Sequence, residues 1–356
     1  MSKETSGLNR RRFLQAASAV PILFWGGTLK AAGTGNATLT AIDGLQAGHF
    51  TDPRRPTGCT VVLAKAGATA GVDVRGSAPG TRETDLLNPV HTIEKIHAVL
   101  LSGGSAFGLA AASGVVRWLE ENQIGYATRF ARVPLVPAAI LYDLGVGDPS
   151  IRPDEESGYQ ACRNAGSQEV AQGNVGAGAG ATVGKLFGIE RAMKGGLGSS
   201  LIEVEELQVG AIAAVNCVGD VVDPETGRIL AGVRTEDGKG LADAMTLLKQ
   251  RLLRPRTQEG ENTTLVVVGT NAAFSKPEMS KLAQMSHDGL ARAIRPVHLP
   301  MDGDTVFALS TGRIPNVGLA QAGALAAEVT AQAVVQAVLR TTGIEGFPSH
   351  QQLQGG

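Results

Sequence analysis

Apolar positions along this chain fall into two patterns. Short runs rich in β-branched residues at 59–63, 98–101, 209–215, 265–268 and 305–309 predict strands, and several lack the polar alternation of a half-exposed strand. That continuity predicts a sheet buried on both faces, with helices on each side. Residues 105–121 carry apolar side chains at helical spacing directly after one predicted strand, and the Ala-rich stretch 317–340, just after Pro315, has the same character. Ser275-Lys276-Pro277-Glu278 reads as a capping box opening a helix that runs to about Ile294. Residues 254–262, "RPRTQEGEN", combine proline and charge with no apolar position, which predicts an exposed loop ending at Thr263.

The first 32 residues read differently. Arg10, Arg11 and Arg12 precede an apolar run from Phe13 to Leu29 and then small residues, the order of a signal peptide, and the run is short for a membrane span. Asn9-Arg10-Arg11-Arg12-Phe13-Leu14 resembles a twin-arginine export motif, so removal is expected near Ala31 or Ala32 and delivery, already folded, to the periplasm or beyond. The expected organisation is a cleaved segment 1–32 followed by one domain, 33–356, free of the membrane.

Composition narrows the function. The chain has 356 residues, 43% of them hydrophobic, enough for a sizeable core. A formal net charge of −1 gives no electrostatic footprint for nucleic acid. Cys59, Cys162 and Cys217 are far apart and suggest neither a zinc framework nor a disulfide scaffold. The 47 glycines follow no repeat.

Familiar motifs fail in turn. "GNVGAGAGATVGKL", residues 173–186, has Ala179 where a phosphate-binding loop needs glycine and Leu186 where it needs Ser or Thr. No convincing strand precedes it, as a dinucleotide fingerprint would require. "GGSAFG", residues 103–108, has Phe107 in place of the second glycine of a nucleophile elbow, so Ser105 is not read as a lipase-type nucleophile. Asp302-Gly303-Asp304 lacks the other ligands of a calcium loop. The histidines, His91 and His97 among them, lack metal-ligand spacing and are assigned surface or satisfied core roles. Neither metal nor cofactor is expected.

What remains is Thr263, at the joint of an exposed loop and a buried strand. Its hydroxyl is a weak nucleophile unless a base lies beside it, and the α-amino group of a chain terminus is such a base. That amine titrates at roughly 7.7–8.0, so part of it is unprotonated near neutrality. A cut before Thr263 would release the loop side while the strand holds the new terminus. Asp302 and Asp304 project to one face of an extended segment, where two close carboxylates raise one pKa or call for a cation, supplied by a terminal ammonium or a lysine. The same residues also suit a solvated Asp-Gly turn.

At this point "ENTTLVVVGTNAAFSKPEMSKLAQMSHDGLARAIRPVHLPMDGDTVFALSTG" resembles the C-terminal part of the L-aminopeptidase/D-esterase family, which includes β-aminopeptidases and nylon-oligomer hydrolases. "DVRGSAPGTRETDLL", "VLLSGGSAFGLAAASGVVRWLEE", "VPAAILYDLGVGD", "GNVGAGAGATVGKL", "AMKGGLGSS" and "VGAIAAVNCVGDVVDP" extend the resemblance over essentially the whole chain beyond the leader. It implies an αββα sandwich similar to N-terminal-nucleophile hydrolases with different strand connectivity, self-cleavage between Asn262 and Thr263 into 33–262 and 263–356, and a homo-oligomer of processed protomers. By motif position it implies Thr263 as nucleophile and Asp302 and Asp304 as the acidic pair contacting it. It implies Asn216 as the oxyanion-hole amide, a role worth about 3–4 kcal/mol in comparable sites, and Lys185 and Tyr142 as hydrogen-bonding groups around the nucleophile. Gly103, Gly104 and Ser105 either line the substrate pocket or form a tight strand-to-helix turn. Glu83 and Asp85 in "GTRETDLL" are candidates for holding a substrate ammonium. Thr for Ser and Asp-Gly-Asp for Ser-Gly-Glu depart from the aminopeptidase branch. The resulting expectation is an aminopeptidase on small peptides or amides, with a linear-amide hydrolase, an acyltransferase and a non-enzymatic exported solute-binding protein as alternatives.

Overall fold

Alternate residues of the central strands enter different hydrophobic layers, and this layering defines the architecture. The structure, a computed structural model, describes residues 36–250 and 262–354. The expected leader and all but the last residue of the 254–262 loop lie outside the described residues.

Val266 and Val268 of strand Thr263–Ala272, with Val306 and Ala308 of strand Thr305–Ile314, pack against helices Lys276–Ala293 and Leu319–Leu339. Leu265, Val267, Phe307 and Leu309, their neighbours in sequence, face the opposite way into a second core with Val62, Val99, Leu101 and Ala139. A third core joins Val61, Leu63, Ala98 and Leu100 to helices Ala111–Glu121 and Glu155–Arg163. Helix, sheet, sheet and helix therefore stack in that order, the expected αββα sandwich. Its strands read as unbroken apolar runs because each face meets a different core. Fully burying one ring such as Phe307 is worth about 1.5–3 kcal/mol.

The two sheets are one hydrogen-bonded network. Its order is Gly196–Val204, Leu207–Asn216, Thr263–Ala272, Thr305–Ile314, Gly58–Val74, Lys95–Ser102, Ala138–Ile140 and Thr81–Arg82, with Gln46–Thr51 added on Gly58–Val74. The 17-residue strand Gly58–Val74 belongs to both layers. Its first part pairs with Gln46–Thr51 and Lys95–Ser102, its last part pairs with Thr305–Ile314, and the ladder to Lys95–Ser102 shifts register between Leu63 and Ala68. Thr263–Ala272 and Thr305–Ile314 run parallel, and the Lys276–Ala293 helix forms the crossover between them.

Local sequence explains the starts and stops. The Ser275 amide and hydroxyl both donate to Glu278 Oε2, at 2.8 and 2.7 Å, closing the expected capping box. Helix Leu319–Leu339 is long and apolar enough for a membrane, yet it is mostly buried against its neighbouring helix and the sheet. Residues 168–172 form no strand, as the rejection of a dinucleotide fingerprint requires.

Candidate active site

Three strand ends meet at one edge of the inner sheet. Asn216 closes its strand opposite Thr263, which opens the next, and the parallel neighbour begins at Thr305 opposite Leu265. This register lays residues 302–304 beside the 262–263 peptide. Asn262 and Asp302 form an isolated parallel bridge, and the Gly303 amide donates to the Asn262 carbonyl at 2.8 Å. Thr263 is buried, and its hydroxyl donates to the same carbonyl oxygen at 2.5 Å. A Cβ on residue 303 would lie 2.7 Å from the Thr263 hydroxyl and 2.8 Å from the Ala78 carbonyl oxygen, so only glycine lets the acidic turn lie this close.

The acidic pair is buried, which rules out the solvated-turn reading. Asp304 accepts the Thr264 amide at 2.6 Å on Oδ1 and His298 Nδ1 at 2.8 Å on Oδ2. Asp302 Oδ2 accepts the Leu299 amide at 2.7 Å, and its Oδ1 is buried without a hydrogen-bond partner among the described residues. Burial, reinforced by the negative charge of Asp304, pushes the Asp302 carboxyl up to about 7.

This shift has a signed consequence for stability. The folded chain keeps the Asp302 proton between about pH 4 and 7 while the unfolded chain has lost it, so stability falls as pH rises through that window. In an uncut Thr263→Ala background, Asp302→Asn is expected to raise Tm at pH 8 by on the order of 5 °C and by little at pH 4 to 5. Thermal melts at both pH values check this, and an equal change at the two would refute a titration origin.

Lys185 reaches the site from the Gly-rich loop. Its Nζ donates to both the backbone carbonyl and the side-chain Oδ1 of Asn216 at 2.9 Å. Asn216 Oδ1 also accepts the Thr182 amide at 3.0 Å, while Nδ2 donates to the Tyr142 carbonyl at 2.9 Å. Tyr142 thus contributes its backbone carbonyl. Lys185 acts on the acidic pair by charge, lowering the Asp302 pKa against the larger effects that raise it.

Two groups went unrecognised in the sequence. His298, given only the general surface or satisfied core role of the histidines, lies on Asp304; its sequence signal is its place six residues earlier in the same loop. Lys194, in "AMKGGLGSS", is fully buried and donates to the carbonyls of Gly178, Ala181 and Gly195 at 2.9, 3.0 and 2.7 Å. It pegs the Gly-rich loop from inside, and burial lowers its pKa to about 7. The glycines there shape a support for Lys185 and Thr182.

Residues 103–105 form the tight turn. Gly104 has φ +83° and donates to Asp143 Oδ1 at 2.9 Å, and the Ser105 amide donates to the Leu141 carbonyl at 3.0 Å. Asp143 is itself buried against Arg55 and Thr57. Glu83 is exposed and accepts the Val136 amide at 3.0 Å, and exposed Asp85 starts the short turn Asp85–Leu87, which ends on buried Leu87. His91 is exposed, as assigned, whereas His97 is buried with Nδ1 unpartnered among the described residues.

An αββα sandwich with a threonine opening an inner strand is the architecture of the N-terminal-nucleophile hydrolases. The match to peptidase family S58 spans residues 37–352, and the chain belongs to that family. It is 41% identical to an uncharacterized aminopeptidase of Mycobacterium leprae, over 88% of this chain and 93% of the other. It is 32% identical to the 6-aminohexanoate-oligomer endohydrolase of a Kocuria species, over 85% and 87%. The L-aminopeptidase D-Ala-esterase/amidase of Ochrobactrum anthropi, described as a new variant among the Ntn hydrolase fold, superposes with a TM-score of 0.66 at 19% identity, over 91% of this chain and 94% of the other. A Burkholderia β-aminopeptidase gives 0.65 at 18% identity, over 91% and 95%. The chain is a peptidase or amide hydrolase of this fold, which sets aside the solute-binding reading.

Proposed function

We propose that the chain cuts itself between Asn262 and Thr263, and that the freed Thr263 is the nucleophile of an aminopeptidase acting on small peptides or amides. One observation carries this reading: the Thr263 hydroxyl rests on the carbonyl oxygen of its own preceding peptide, beneath a buried acidic pair. Attack of Oγ on the Asn262 carbonyl carbon converts the amide to an ester and frees the Thr263 amine. Water then cleaves the ester. In turnover, that amine accepts the Oγ proton as the hydroxyl attacks the substrate carbonyl, and returns it to the leaving amine. Asp302 and Asp304 balance the ammonium, Lys185 orients the hydroxyl, and Asn216 is the candidate oxyanion donor. N-terminal sequencing of the purified protein tests the cut: the smaller fragment should begin Thr-Thr-Leu-Val.

Aminopeptidase activity stands ahead of linear-amide hydrolysis because the relative of higher identity is named an aminopeptidase. The second reading remains in view because of the Thr nucleophile and the Asp-Gly-Asp turn. Peptide p-nitroanilides with free and acetylated N-termini are expected to differ in kcat/KM by about a hundredfold or more, the loss that follows when a buried partner for an ammonium is left unpaired. Equal rates, or hydrolysis of aminohexanoate oligomers alone, would move the assignment to the amidase branch. Product analysis with an added amine acceptor separates hydrolysis from acyl transfer.

A further inference from the structure

We infer that His298 is a positioning residue for the acidic pair: its Nδ1–H holds the Asp304 carboxylate so that the other oxygen fastens the Thr264 amide and, through it, the start of the nucleophile strand. This rests on the Thr263 reading above.

The geometry assigns the proton. Asp304 receives a backbone amide on each side, from Thr264 at 2.6 Å and from His298 itself at 3.3 Å, so it acts as the acceptor and His298 Nδ1, at 2.8 Å, donates. His298 has φ +56°, a left-handed backbone that a non-glycine residue adopts against a steric penalty, and such outliers persist where the surroundings dictate the position. Behind it, the ring meets His287 edge-on at 4.8 Å between centroids. His287 Nε2 lies 3.1 Å from the Asp73 carbonyl oxygen, and burial holds that ring neutral by lowering its pKa to about 4. His298 Nε2 is buried without a partner among the described residues, which makes Nδ1 the anchored end of the ring.

The charged and titratable groups around this pair come from four directions. Asp302 shares its turn, Lys185 acts from the Gly-rich loop, His287 stands on the crossover helix, and Asp73 with its bonded Arg75 ends the long strand. Without the His298 donor the acidic pair loses a hydrogen bond that favours its charged form, and the pair, whose shared proton already stays on to about pH 7 at Asp302, gives it up at higher pH. The strand end loses its fixed partner at the same time.

Asn and Leu share one branched shape at the γ position, and Asn places an N–H where His298 Nδ1 stands. In the full chain, His298→Asn keeps the donor and suits the left-handed backbone, His298→Leu removes the donor and strains that backbone, and His298→Gly, made alongside, removes the donor without the strain. Self-cleavage is followed on denaturing gels from pH 5 to 9, alongside thermal melts. The asparagine variant is expected to cut within about threefold of the wild-type rate with its pH profile in place. The leucine and glycine variants are expected to cut about tenfold slower or worse, with the acid limb about one unit higher, the glycine variant at a similar Tm. If the leucine chain does not fold, the glycine variant carries the donor-free arm. A donor-free variant with an unmoved profile, or an asparagine variant as impaired as the leucine one, overturns the role of His298 alone. A wild-type chain that is never cut overturns the Thr263 reading and this one with it.

Discussion

Thr263→Ala is expected to leave the chain whole and without hydrolytic activity. On the proposed reading the attacking group is the hydroxyl that lies 2.5 Å from the Asn262 carbonyl oxygen. The substitution deletes the hydroxyl and one methyl at a buried position but leaves the backbone ladder to Asn216 and the Thr264 bond to Asp304 untouched. Folding should therefore survive while self-cleavage stops and kcat falls by about 10⁴ or more. Mass spectrometry of the purified variant, with amide turnover measured on the same sample, checks both. A variant still cut at the 262–263 bond would show that Thr263 does not attack it.

Lys185→Met and Asp304→Asn, made in protein assembled from the separate fragments 33–262 and 263–356, are expected to lower kcat by about 10²–10³ each. Methionine keeps the apolar stem of Lys185 and removes the charge that reaches Asn216 and Asp302. Asparagine keeps an oxygen for the Thr264 amide and removes the carboxylate charge that, on the proposed reading, would balance a freed Thr263 ammonium. Asp304→Asn removes one of two close buried carboxylates, so its Tm should hold or rise, whereas Lys185→Met leaves two Asn216 oxygens without this donor and should cost some Tm; in both, activity falls far more than stability. Near-normal turnover in both would leave the cluster structural.

Much of this was legible in the residues. The strand runs announced themselves because burial on both faces removes polar interruptions, and Ser275 with Glu278 marked a helix start by local chemistry alone. The motif order identified Thr263, Asn216, Lys185 and the two aspartates, which the register of three strands then brings together. Other features depend on distant partners. Nothing beside His298 in sequence says that its ring turns back to Asp304, since that requires a left-handed backbone. Lys194 reads as an ordinary surface lysine until the loop carbonyls of Gly178 and Ala181 close over it. The Glu83 carboxylate, read from sequence as a possible ammonium partner, caps a backbone amide at Val136.

The strand order bears on what would follow the proposed cut between Asn262 and Thr263. Thr263–Ala272 and Thr305–Ile314 are adjacent and interior, clasped between Leu207–Asn216 on one side and Gly58–Val74 on the other, so the short piece supplies the middle of a sheet whose flanks belong to the long piece. Severing one peptide at the strand entrance leaves these ladders intact. Yet it turns refolding from an event within one molecule into an encounter between two, each exposing bare strand edges prone to wrong pairings. The mature assembly would persist by the slowness of its opening, since its separated halves would regain the structure only as fast as they meet.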